Sequence, residues 1–172
     1  MNLVVSLISI MHKIIDNVLP KEEFENIKNS ILNPDFPWNL TTVVTNEKEV
    51  LPTHASFYFT HMFWDGFNIE PQAQIFAPLL NIMDCHALMR IKANCYPSTP
   101  EVIVHDNHYD YPFPHKGAIF YLNTNNGLTI LEDTVKVESI ENRLLLFDSS
   151  KMHTSTTCTD TKCRINVNFN FF

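Results

Sequence analysis

The chain has 172 residues, 45% of them hydrophobic and 12% aromatic, a composition that excludes disorder and suits one domain with a sizeable core. Its formal net charge is −7, with 12 Lys and Arg scattered among 19 Asp and Glu, so the clustered cations that duplex DNA or an anionic membrane surface would need are missing. Nucleic acid and membranes are therefore not expected partners. The cysteines at 85, 95, 158 and 163 form no C-x-x-C pair and read as free thiols of a reducing, cytoplasmic compartment.

In chain order, residues 3–11 are apolar but too few to span a bilayer, and they lack the basic start and small-residue cleavage site of a signal peptide. Residues 1–10 read as an incidental extension, because helical signals begin after Met11. Pro20 followed by Lys21-Glu22-Glu23 suits a helix start, and apolar residues at Phe24, Ile27, Ile31 and Leu32 have helical spacing until Asn33-Pro34 ends the run. Residues 38–46 and 54–64, rich in Thr, Val and aromatics, predict strands. Residues 72–83 predict a second helix, broken or kinked at Pro78. Residues 87–96 alternate as a half-buried strand does.

From Val102 onward the pattern is β throughout. The stretch Asn123-Thr124-Asn125-Asn126-Gly127 predicts a turn between strands at 118–122 and 128–132, and further strands are expected at 135–137, 144–147 and 164–171. Two helices followed by about eight strands predict an α+β, mainly β fold: a double-sheet jelly roll with the N-terminal helices packed on one sheet.

His108-Tyr109-Asp110 puts an imidazole and a carboxylate two residues apart, and on a strand such residues share a face. An H-x-D pair alone is weak. The order of residues C-terminal to the pair is narrower: strands around an Asn-Gly, then His153, then Arg164 eleven residues on. Two His and one carboxylate on one face of an octahedron leave three positions open, which is how proteins hold Fe(II) for oxygen chemistry. His105 ranks as a neighbour of this set at best. His54, His61, His86 and His115 show no partner spacing.

Only three arginines occur, Arg90, Arg143 and Arg164. Arg164 opens the last apolar strand, where a buried guanidinium needs an anion. Its planar fork suits a carboxylate, and 2-oxoglutarate offers one at its far end.

The set Asn94-Cys95-Tyr96-Pro97, His108-Tyr109-Asp110, Tyr121-Leu122-Asn123, Asn126-Gly127, His153 and Arg164 resembles the prolyl-4-hydroxylase-like branch of the 2-oxoglutarate/Fe(II) oxygenases. The short single-domain members common in bacteriophages and marine microbes are the most similar. The resemblance is loose from about residue 15 and good over 94–172. It implies one oxygenase domain with a double-stranded β-helix fold. It also implies iron held by His108, Asp110 and His153, and the distal carboxylate of 2-oxoglutarate held by Arg164. Tyr121 is similar to the strand tyrosine that helps bind that carboxylate, and Tyr96 to a tyrosine lining the co-substrate pocket. Fe(II), 2-oxoglutarate and O2 are the implied cofactors, with ascorbate a candidate stimulant. Peptidyl proline is the implied substrate. The usual Gly-Gly is reduced here to Asn126-Gly127, and Pro112, Pro114 and His115 make the loop after Asp110 this chain's own.

The mouth of the pocket is expected from residues 38–46, 61–68 and 110–116, with Phe63 and Trp64 either stacking on a peptide or filling the core. Asp110, where a halogenase would leave a place for chloride, favours hydroxylation. Other readings stay open: a cupin-like metalloenzyme that does not use 2-oxoglutarate, a catalytically silent jelly-roll binding or phage structural module, and an oxygenase acting on a small molecule such as a free amino acid or nucleobase.

Overall fold

The computed structural model describes residues 12–45 and 50–172. The expectations for residues 1–10, and for position 46 of the strand at 38–46, lie outside the described residues.

A short strand, β1 (His12–Ile15), comes first, followed by α1 (Lys21–Ile31), β2 (Asn39–Thr41) and β3 (Tyr58–Trp64). A 3-10 helix (Pro71–Phe76) then runs into α2 (Ala77–Ile82), and β4 (Leu88–Pro97) follows. The remainder is β5 (Lys116–Tyr121), β6 (Asn125–Leu131), β7 (Val135–Ser139), β8 (Arg143–Asp148), β9 (His153–Ser155) and β10 (Cys163–Phe171).

The α1 helix forms where the periodicity puts it. Glu22 and Glu23 sit in its first turn and Lys28 in its last, which suits the helix dipole, and Phe24, Ile27 and Ile31 are buried. Pro78 divides the expected second helix. It lies in the first turn of α2, where a missing N–H removes no intrahelical bond, so the preceding turn is 3-10. Three expectations for the N-terminal part of the chain need correction. A strand precedes α1. The strand expected from 54 starts only at Tyr58, because Thr53–Ala55 forms a 3-10 turn after Pro52. The strand expected over 38–46 is only three residues long.

The strands form two antiparallel sheets, one in the order β1-β8-β5-β10-β4-β3-β2 and one in the order β7-β6-β9. This is the double-stranded β-helix, mainly β, with helices against the outer face of the larger sheet. Phe24 of α1 meets Phe120 edge-on at 6.0 Å, and Phe76 meets Phe63 at 4.9 Å and Phe169 at 5.4 Å. A smaller apolar cluster, including Ile119, Leu131, Val137 and Leu145, fills the space between the sheets.

Strand β10 explains the site. It is central, paired with β4 and β5, and almost wholly buried. Its sequence alternates: Ile165, Val167, Phe169 and Phe171 join the helix-side core, which leaves Arg164, Asn166, Asn168 and Asn170 on the inner face. On β4, Ile91 and Ala93 likewise join the core, so Arg90, Lys92, Asn94 and Tyr96 face inward. The register sets these opposite one another as Tyr96–Arg164, Asn94–Asn166, Lys92–Asn168 and Arg90–Asn170. The larger sheet thus presents a polar floor to the inter-sheet space.

Candidate active site

The segment carrying His108 and Asp110 is not a strand, which corrects the sequence reading. Residues 101–115 are irregular, and the segment is held by isolated bridges. One is decisive: His108 N–H donates to the His153 carbonyl at 2.9 Å, and His153 N–H returns the bond at 2.8 Å. The bridge sets the imidazoles side by side, ring centroids 4.5 Å apart. Asp110 N–H donates to the Ser149 carbonyl at 3.1 Å, so β8 and the turn after it fix the third residue. One ligand atom from each of His108, Asp110 and His153 then lies within 4.8 Å of the others.

Each ring is oriented by a carbonyl. His108 Nδ1 lies 3.3 Å from the Asp106 oxygen, and His153 Nδ1 lies 2.9 Å from that of Lys151. With Nδ1 so engaged, Nε2 is the atom available to a metal. Burial pushes His108 down to about 4, with the neighbouring His153 adding to the shift and Asp110 opposing it. Burial also lowers His153. Both are neutral at pH 7, with lone pairs free.

Asp110 has more partners than the sequence suggests. Burial would raise its pKa, but the Arg90 guanidinium outweighs that together with His153, Asn170 and Ser149, and the carboxyl stays well below the usual range. Arg90 Nη2 donates to Oδ1 at 2.7 Å, Asn170 Nδ2 donates to Oδ2 at 2.8 Å, and the Ser149 hydroxyl donates to Oδ2. His115, which shows no partner spacing in the sequence, has its Nε2 3.1 Å from Asn170 Nδ2. It therefore stands one residue away from Asp110.

Arg164 is fully buried. Its Nε donates to Ser139 Oγ at 2.8 Å and its Nη2 to Thr129 Oγ1 at 2.9 Å. Its Nη1 has no partner, and no carboxylate among the described residues pairs with it. Tyr121 joins this group by donating to Thr129 Oγ1 at 2.8 Å. The guanidinium lies over the rings of Tyr96 at 5.6 Å and Tyr121 at 5.8 Å. His105, which is outside the metal set, packs on Tyr96 at 5.4 Å and has Nδ1 2.8 Å from Ser155 Oγ. One small cavity, of about 40 Å³, is lined by His108 and His153 and by Tyr96, Thr129 and Arg164. The sequence-derived residues thus come together in one place. Phe63 and Trp64 do not: Phe63 is fully buried on the helix side and Trp64 packs against that core, its Nε1 donating to the Leu88 carbonyl at 3.0 Å.

The donor set fits the groups that the resemblance implies. Two neutral imidazoles and one carboxylate suit a hard divalent ion such as Fe(II). An unpaired buried guanidinium edge, flanked by hydroxyls, suits a carboxylate.

No protein-family model matches the chain, and no curated protein does. Solved structures are similar. A prolyl hydroxylase from Trichoplax adhaerens, in complex with a hypoxia-inducible-factor oxygen-degradation-domain peptide, aligns with a TM-score of 0.66 and 16% identity, over 94% of this chain and 83% of that one. The viral collagen prolyl hydroxylase of Paramecium bursaria Chlorella virus-1, in its 2-oxoglutarate complex, aligns at 0.60 and 13% identity, over 93% and 94%. An α-ketoglutarate-dependent epimerase of nogalamycin biosynthesis aligns at 0.60 and 10% identity, over 94% and 78%. The fold is that of the 2-oxoglutarate/Fe(II) oxygenases, prolyl-4-hydroxylase-like. No helix among the described residues is long and apolar enough to cross a membrane.

Proposed function

We propose that the chain is a single 2-oxoglutarate/Fe(II) oxygenase domain that hydroxylates its substrate, a peptide with proline as the first class to test. The observation that carries this reading is the buried Arg164, with no carboxylate partner among the described residues, in the cavity that His108 and His153 also line.

His108, Asp110 and His153 would hold the metal through two Nε2 atoms and one carboxylate oxygen. When bound, iron couples the oxidative decarboxylation of 2-oxoglutarate by O2, to succinate and CO2, with hydroxylation of the substrate. The residues supply the rest. Arg90, Ser149 and Asn170 keep Asp110 ionised and fixed in orientation. Arg164 takes the distal carboxylate with its free Nη1 edge. Tyr121 and Thr129 order the hydroxyls around it, and Tyr96 walls the cavity on the β4 side. Ile119 and Leu131 keep bulk water from the inter-sheet space. Asp110 as a ligand leaves no place for chloride, which favours hydroxylation over halogenation.

The test is succinate formation by anaerobically purified protein supplied with Fe(II), 2-oxoglutarate and O2, with and without ascorbate. Succinate from the wild type, and none from Asp110→Ala or Arg164→Ala, is expected. A wild type that neither forms succinate nor binds 2-oxoglutarate in the presence of metal would overturn the reading.

A further inference from the structure

Lys92 is unlike any other lysine in the described chain. It lies on the central strand β4, between Arg90 and Asn94 on the inner face, directly opposite Asn168 of β10. It is only partly exposed. Its Nζ sits 5.8 Å from the centre of the Tyr58 ring, and Tyr58 stacks on Tyr96 with centroids 5.0 Å apart and planes 6° from parallel. The ammonium therefore stands beside the aromatic pair that borders the metal cavity. It does not line the cavity shared by His108, His153 and Arg164.

No carboxylate among the described residues forms an ion pair with Lys92, and no hydrogen bond from it is present. The charges around it are otherwise matched. Asp110 is taken by Arg90. On the proposed function, Arg164 takes one carboxylate of 2-oxoglutarate and the metal takes the other. Lys92 remains without an ion-pair partner among the described residues. Burial pushes its pKa down to about 8, with Arg90 adding to the shift and Asp110 opposing it. The Tyr58 face offers a weak cation–π contact and no neutralisation. A half-buried ammonium on a core strand, with no ion-pair partner among the described residues, is placed to bind an anion.

We propose that the substrate carries a carboxylate close to the carbon that is oxidised, and that Lys92 binds it, with Arg90 beside it on the same strand. A neutral segment of peptide would cover Lys92 and leave it unpaired. A free amino acid or other small acid brings a carboxylate, and so does the side chain of an Asp or Glu next to the target residue. This inference rests on the proposed function and adds to it the charge of the substrate.

The test uses protein loaded with Mn(II) and 2-oxoglutarate without O2, and reads broadening of probe proton resonances by the metal. The probes are free L-amino acids, each beside its carboxamide, and proline peptides flanked by Asp, each beside the Asn version. In the wild type, carboxylate probes should bind about tenfold more tightly than their amides, as for a charge pair at a half-buried site. Lys92→Met should bind both alike, and Lys92→Arg should restore part of the preference. Preference confined to free acids would identify a small acid, and preference confined to peptides an acidic peptide. Equal or absent binding of acids and amides by the wild type would overturn the inference. So would a preference that survives in Lys92→Met, or a loss of 2-oxoglutarate affinity in that variant, which would assign the ammonium to the co-substrate. If the wild type binds no 2-oxoglutarate in the presence of metal, the proposed function itself fails, which separates the two failures.

Discussion

Arg164 is a fully buried cation and Lys92 a half-buried one, and neither forms an ion pair with an acid among the described residues, yet each has a different signature. Arg164 is gripped by Ser139 and Thr129 with one nitrogen left free. Replacing it with Met should weaken 2-oxoglutarate binding roughly 100-fold or more, as expected from the ~3–5 kcal/mol cost of breaking a buried ion pair. Equilibrium titration of the Mn(II)-loaded variant measures this, and unchanged affinity would refute the assignment. Lys92 makes a stability prediction of opposite sign. Its folded pKa of about 8 lies below the ordinary lysine value of 10.5, so between these limits the unfolded chain binds more protons than the folded one. Wild-type stability should therefore gain from this group as pH rises through that window. Lys92→Met should be the more stable protein at pH 7, by about 1–2 kcal/mol, and its advantage should shrink toward pH 10. Urea unfolding of both proteins across this range decides it. A variant less stable than the wild type at pH 7 would mean that Lys92 already has a partner. The sequence points to Arg164 because a guanidinium opens an apolar strand, and to His108, Asp110 and His153 because their order is uncommon. It does not point to Arg90, Ser149 and Asn170, whose bonds to Asp110 span 20, 39 and 60 residues of chain. No local pattern encodes such convergence.

At the scale of elements, strength of periodicity decides what can be read. Helix α1 and strands β4, β8 and β10 have long patterns and are legible within a residue or two. Strands β1 and β9 have four and three residues, and pairing with β8 and β6 defines them rather than their own composition. The inner face of β10 escapes the sequence for a different reason. Read as an apolar strand, it in fact alternates strictly, and its asparagines are the floor of the site. Gly127 shows how one element constrains another. The sequence predicts a turn there, but the residue lies in β6, where an added Cβ would come within 2.6 Å of Arg164 Cδ and 2.9 Å of both Asn125 Oδ1 and the Thr157 carbonyl. The absent side chain is the room in which Arg164 lies. Gly127→Ala should destabilise the protein by about 1–3 kcal/mol, the usual range for overpacking a core. It should also weaken 2-oxoglutarate binding, while Mn(II) affinity persists because His108, Asp110 and His153 stand on other segments. Parallel titrations of metal and co-substrate test this. Equal losses of both would mean that the substitution disturbs the whole sandwich and not the arginine alone.

For the whole molecule, the site is a place where the two sheets are not yet joined by apolar contact. The larger sheet contributes a polar floor, β9 and the 101–115 segment contribute the histidines, and Asp110 ties that segment to both β4 and β10. A divalent ion bound by His108, Asp110 and His153 would cross-link these parts, so metal should stabilise the fold globally. Ligand at about 100 times its dissociation constant adds roughly 2.7 kcal/mol, which for a domain of this size raises Tm by roughly 5–10 °C. The pH dependence of that increment comes from the buried histidines. Burial pushes His108 down to about 4 in the folded protein, below the ordinary 6.5, and lowers His153 as well. Between about 4 and 6.5 the unfolded chain takes up protons that the folded chain refuses, so stability without metal should fall as the pH drops through this window. The metal-induced increment behaves differently, since protons compete with metal only near the folded value. It should outlast the ordinary histidine value of 6.5 and be lost as the pH approaches that of His108, about 4, and metal binding at pH 7 should release no histidine proton. Thermal unfolding with and without Mn(II) from pH 4 to 8, beside calorimetry in two buffers of different ionisation enthalpy, reads both quantities. An increment already halved at pH 6.5, or proton release at pH 7, would show the histidines to be solvent-like and the centre to be open. An increment equally large in Asp110→Ala would place the ion elsewhere on the protein.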